Sequence, residues 1–228
     1  TWEWQQTDQK HRECLQNYKE DLVMANECNN MVWFYSRDKK LLQSFFNKFR
    51  ACHDDLYASY IYQLFLAHGY KEAELQELDK GDMIVDCDGI ISQQDSFYFF
   101  QAETETAWTP NVESLQKLLC ERYKDKIKLI YFTDASEDGI YITNDYNGVF
   151  VNEQYKLDYA EDGESTVEYF KTYDDLLEYV RCFLSKTVSD LDDFPTMERK
   201  IMKNLKADAY CYITHVKYDY ELKERSAA

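Results

Sequence analysis

Apolar positions along this chain change their spacing several times, and each change marks an element. Residues 31–36, MVWFYS, are aromatic or apolar almost throughout, which predicts a strand. Asp38 can cap a helix, and Leu41, Leu42, Phe45, Phe46 and Phe49 then recur at helical spacing. Leu56, Tyr60, Leu64 and Ala67 predict a second helix over 55–68 that Gly69 stops, and 71–79 is helical by propensity. MIVDC (83–87) and SFYFFQAET (96–104) predict strands around an Asp88-Gly89 turn. Thr109 as N-cap and Pro110 as first helical residue open a helix lined by Val112, Leu115, Leu118 and Leu119. KIKLIYFT (126–133) is a strand again. IYIT, Asn147-Gly148, VFV and 154–159 predict short antiparallel strands.

Beyond Glu161 the pattern restarts. TVEYFKTY (166–173) predicts a strand, and Thr172 with Asp175 has capping-box spacing. Leu176, Val180, Phe183 and Leu184 predict a helix to about 188, and a further helix runs from 196 to 206. AYCYITHVKYDY (209–220) alternates, with Tyr210, Tyr212, Thr214, Val216, Tyr218 and Tyr220 on one face. A helix over 7–21 is expected within an N-terminal arm, 1–23. The order from 30 to 133 is strand, helix, inserted helices, strand, strand, helix, strand. That predicts an α+β chain with a ferredoxin-like split βαβ core over 24–160 and an antiparallel sheet extension. A small C-terminal α/β lobe follows over 161–228.

Charge changes this picture most. The chain carries a net charge of -17. Residues 134–194 hold 16 acids against 4 bases, whereas 195–228 hold 5 against 7. Such a field repels phosphate backbones and anionic membranes, so direct nucleic-acid binding is disfavoured and a basic protein partner is favoured. Plain solubility is the simpler use of the same charge. Lys39, Lys40, Lys48 and Arg50 make the only dense early basic group. Seven Cys without a CxxC pair read as free thiols of a reducing, cytoplasmic setting, and no membrane span or signal peptide is visible. Cys120 and Cys28 are expected in the interior.

Catalytic signatures do not emerge. The histidines (11, 53, 68 and 215) are scattered, and Cys52-His53 has no second pair to complete a metal site. Asp134, Glu137 and Asp138 lack EF-hand spacing and read as a solvated turn. Glu103 and Glu105 form a carboxylate pair with no sugar cleft to serve. No GxSxG, P-loop or dinucleotide glycine motif occurs, so no cofactor is implied. Trp33, Tyr35, Phe97, Phe99, Tyr131 and Tyr141 offer the rival to a protein partner: an aromatic sheet face for stacked bases or a small ligand.

Met24-Ala25-Asn26-Glu27-Cys28-Asn29-Asn30, leading into an aromatic strand, and Thr106-Ala107-Trp108-Thr109-Pro110, at a strand-to-helix junction, carry a resemblance. Together they resemble the YubB-like family of ferredoxin-like domains, also found in proteins of bacterial mobile elements. LIYFTDASEDGIYI is similar to a later strand and acidic turn of that family. Asn26, Cys28, Asn30, Trp108 and Pro110 are the signature positions. Residues 82–95 depart from the family, lacking its tryptophan-rich Gly-x-Lys-Trp segment. The resemblance implies a fold and a phage or plasmid setting, with no reaction and no catalytic residues. Trp108 fits a plug across the strand–helix seam beside Val112 and Leu115 better than a base platform.

The dense acidic run lies outside the matched stretch: Asp158, Glu161, Asp162, Glu164, Glu168, Asp174, Asp175 and Glu178. These side chains are the candidate partner-binding residues. On a rigid strand–helix unit they could imitate spaced phosphates, as an anti-defence inhibitor or regulator would.

Overall fold

A computed structural model describes residues 27–53, 59–75, 82–107, 112–135, 140–205 and 209–218. The elements are β1 (Glu27–Ser36), α1 (Lys39–Cys52), β2 (Ser59–Tyr60), α2 (Ile61–Ala67), β3 (Met83–Cys87), β4 (Ser92–Gln94), β5 (Phe97–Ala107), α3 (Val112–Tyr123), β6 (Lys128–Ala135) and β7 (Ile140–Thr143). There follow β8 (Tyr155–Glu161), β9 (Glu164–Phe170), α4 (Tyr173–Tyr179), α5 (Phe194–Met202), β10 (Tyr210–His215) and β11 (Lys217–Tyr218). The fold is α+β. A larger mixed sheet has the order β11-β7-β6-β1-β5-β3-β2, with β4 beside β5, and a smaller sheet has the order β10-β8-β9.

β1 is the middle of the larger sheet, antiparallel to β5 on one side and β6 on the other. Both of its faces are covered. Val32 and Phe34 face α1, α2 and α3, where Phe34 meets Phe45, Phe49 and Phe100 with ring centroids 4.9–5.3 Å apart. Met31, Trp33 and Tyr35 point the other way, under the connection that leaves β7. β1 is longer than its apolar run predicts because its polar start is paired as well. Asn30 is buried; its Nδ2 lies 3.1 Å from the Cys28 carbonyl and 3.0 Å from Thr106 Oγ1, and its Oδ1 accepts from Thr133 Oγ1 at 2.6 Å. Three strands are thereby tied at one point.

Several expectations are corrected. The helix over 55–68 is confined to α2 among the described residues. Ser59 and Tyr60 pair with β3 instead, and the Ile61 amide donates to the Asp82 carbonyl, so the chain extends before it coils. The expected helix over 71–79 is a single 3-10 turn, Glu72–Glu74, where described. Val149, Phe150 and Val151 form a covering loop, not a strand. The helix after Thr172 has its capping box, but α4 passes into one π turn at Val180–Leu184. That turn carries Phe183 outward, 73% exposed, off the apolar stripe where it was expected. Pro195 does not delay α5, because Asp193 caps that helix and Pro fits its first turn. The alternating run 209–220 serves two sheets: β10 joins the smaller sheet, and β11 runs parallel to β7 in the larger one. The N-terminal arm and the signature residues Asn26, Trp108 and Pro110 lie outside the described residues.

The smaller sheet has its own core. Leu157, Leu176, Val180, Met197, Ile201 and Ile213 are buried between β8, β10, α4 and α5. Its β8–β9 hairpin turns on Asp162-Gly163, both at positive φ (56° and 80°), as a two-residue hairpin turn requires. This hairpin straddles the expected division at 160/161, and the second core already takes in Tyr155 and Leu157. The edge strand β10 is protected: Glu198 of α5 accepts from the Ile213 amide at 2.8 Å.

His68 is buried in the larger core. Its Nδ1 donates to the Leu64 carbonyl at 2.7 Å, so its Nε2 must accept from the Tyr123 hydroxyl, also at 2.7 Å. Burial holds its pKa below the ordinary value, with the charges of Lys48 and Arg122 adding to the effect. The unfolded chain binds a proton near pH 6.5 and the fold resists it, so this group removes stability as pH falls through that value. The denaturation midpoint of wild type should therefore fall more steeply from pH 7.5 to 5.0 than that of His68→Gln, which removes the titrating group. Parallel slopes would contradict this account.

Candidate interaction surface

The two sheets meet where β6 and β7 face β8 and β9. Lys156 is only 6% exposed, and its Nζ lies 2.7 Å from Asp134 Oδ2. Tyr169 Oη donates to the same carboxylate oxygen at 3.3 Å, and burial with the nearby Asp134 charge pushes the Tyr169 phenol up to about 12. Tyr141, opposite Asp134 in the sheet, is fully buried with a hydroxyl that has no hydrogen-bond partner among the described residues. Asp134 was expected in a solvated turn, yet it is the anion that pairs with a buried lysine. A signal for this existed: Lys156 sits alone among acids, between Tyr155 and Leu157, on the alternate side of a strand.

The smaller sheet turns Leu157 and Ile213 toward α4 and α5, so Lys156, Asp158 and Ala160 point to its outer face. The register there is explicit. Tyr212, Asp158 and Val167 stand opposite one another across the three strands; Thr214, Lys156 and Tyr169 form the next row; Tyr210, Ala160 and Ser165 the one before. Tyr212, Val167 and Tyr169 are exposed. The hairpin tip lies at the end of these strands, and α4 covers the opposite face.

The eight predicted acids do not form one array. Asp158 lies in the outer face and is half-buried, while Glu168 faces inward beside Tyr179. Glu161, Asp162 and Glu164 cluster at the hairpin tip, where Glu161 and Glu164 are directly opposite. Asp174, Asp175 and Glu178 belong to α4, and Asp175 is occupied by the Thr172 amide and hydroxyl. Asp162, Glu164, Asp174, Asp175 and Glu178 are exposed. No cation among the described residues pairs with Glu164, Asp174 or Glu178.

The rival aromatic face is closed. Trp33 is 9% exposed, and Phe150 lies over it with ring centroids 5.4 Å apart and planes at 6°. Phe150 also packs on Tyr35, Phe97 and Phe99. Tyr131 and Tyr141 are buried. The covering loop is fixed by Asp145, whose buried carboxylate accepts from the Phe150 and Val151 amides at 2.6 and 2.9 Å. Gly148 makes the bend with a φ of 61°. A base could not stack on Trp33 without displacing this strap.

No group of three His, Cys, Asp or Glu side chains able to hold a metal occurs among the described residues. Cys28 and Cys211 are buried, and burial with the Glu198 and Asp158 charges pushes Cys211 up to about 12. Cys87 is pushed up to about 12 by burial and Asp88, so neither behaves as a ready nucleophile. Cys120, expected inside, is exposed on the outer side of α3. No described helix is long and apolar enough to cross a membrane. No family model, curated protein or solved structure matches the chain.

Replacing Asp134 by Ala should cost roughly 3 kcal/mol, because it removes the carboxylate 2.7 Å from the buried Lys156 Nζ. Lys156→Met in the same background should recover much of that loss. Urea unfolding of the two variants measures both; an Asp134→Ala protein as stable as wild type would dismiss the pair as a structural anchor.

Proposed function

We propose that this chain is a protein-interaction module that receives a cationic partner on its acidic smaller lobe and carries out no reaction of its own. One observation carries the reading: Glu164, Asp174 and Glu178 are exposed, on the β8–β9 hairpin and α4, with no neutralising cation beside them among the described residues. Such charges repel one another and are retained at a cost unless a partner supplies the opposite sign. Spaced carboxylates of this kind could occupy a groove built for a phosphate backbone, as an anti-defence inhibitor of a mobile element would. A ferredoxin-like core belongs to the same reading. The antiparallel order β6-β1-β5-β3, with α1 and α3 packed on one face, supports it.

The test is fluorescence anisotropy with labelled nona-lysine and, in parallel, a labelled 20-nucleotide DNA. The lysine peptide should bind and weaken with added salt. Glu164→Gln, Asp174→Asn and Glu178→Gln together should weaken it roughly tenfold, as three rim charges do. DNA bound more tightly than the peptide would refute the reading.

A further inference from the structure

The outer face of the smaller sheet lacks two things. Asp158 Oδ1 is buried and has no hydrogen-bond partner among the described residues. Lys156, its neighbour on the same strand face, is held by Asp134. Around Asp158 stand exposed rings and methyls: Tyr212 is 62% exposed, Tyr169 46% and Val167 41%. Tyr212 is steadied by Tyr210, with ring centroids 5.6 Å apart and planes at 29°. An unsatisfied carboxylate oxygen between an exposed ring and an exposed valine is a costly arrangement for a protein to leave empty.

One chemical group answers both deficits. A guanidinium is planar, donates N–H groups along its edge to a carboxylate and lays its face on an aromatic ring. An ammonium supplies the charge without the plane. A neutral aromatic covers the tyrosines but leaves the carboxylate unpaired. A phosphate is repelled by Asp158 and by the acidic stretch around it.

We propose that the Tyr212–Asp158–Val167 row seats an arginine side chain of the cationic partner, Asp158 taking the edge of the guanidinium and Tyr212 its face. This rests on the preceding reading that the partner is cationic, and it adds which cation is preferred and where it sits. Asp158 Oδ1 is buried, so seating the guanidinium requires side-chain rearrangement at its rim, where Tyr212 and Val167 are exposed.

The experiment compares labelled nona-arginine with nona-lysine on the full chain at one salt concentration. Wild type should prefer the arginine peptide by roughly fivefold. Asp158→Asn and Tyr212→Ala should each erase that preference, and Tyr212→Phe, which keeps the ring, should retain it. The triple surface variant at Glu164, Asp174 and Glu178 should weaken both peptides alike and keep the preference. Tyr212 is exposed, so its replacement tests the seat even if Asp158→Asn perturbs the fold. A preference that survives both Asp158→Asn and Tyr212→Ala overturns the seat. Equal binding of the two peptides by wild type, still sensitive to the triple variant, overturns the seat and leaves the cationic-partner reading standing. Binding insensitive to the triple variant overturns that reading itself. Concentration-dependent dimers that Tyr212→Ala dissolves would assign the face to a second copy of the chain.

Discussion

The register of β1 is the constraint on which the remainder depends. Val32 and Phe34 belong to the helix-covered core, Trp33 and Tyr35 to the strap-covered one. A slip of one residue would exchange the two sets and spoil both cores at once. Large side chains on both faces would resist such a slip only weakly by themselves, since either set is apolar. Asn30 makes the difference. Its amide finds partners on β1, β5 and β6 in a single alignment, and in any other it would be a buried polar group without them. Three side chains, Asn30, Thr106 and Thr133, thus specify what the aromatics stabilise.

Much of this was legible in the residues, and the failures have physical causes. α1 and α3 were plain because a capping or breaking residue precedes a stripe of large apolar residues. The central strands were plain because β-branched and aromatic runs have few other uses. The start of β1 was hidden, since ECNN looks like a loop until its partners are known. Phe150 was misread for a related reason: an apolar triplet beside Asn-Gly resembles a hairpin strand. Only the three-dimensional position of Asp145, bonding two amides of that triplet, converts it into a strap. Phe183 failed because a π turn shifts the phase of a helix by one residue, and no local signal announces the shift.

Among the candidate site residues, composition located the lobe but not the surface. Counting acids found Asp158 and Glu164 with equal weight, although one lies half-buried between Tyr212 and Val167 and the other stands at a hairpin tip. Asp134, read as solvent-facing, serves the interior. Charge density belongs to a stretch of sequence; the role of each carboxylate belongs to the register that places it. Only the alternation of β8, with Leu157 turned inward, separates Asp158 from its neighbours.

Among the described residues the chain crosses between its sheets twice, once through the strap that precedes β8 and once at buried Val216, between β10 and β11. β11 then lies along β7 and occupies the outer border of the larger sheet. The smaller lobe is therefore stitched in rather than appended. A shortened descendant that discarded it would inherit an uncovered strand border and a solvent-facing Tyr141. Loss of the lobe would need simultaneous repair elsewhere, which makes its gradual removal in a lineage unfavourable.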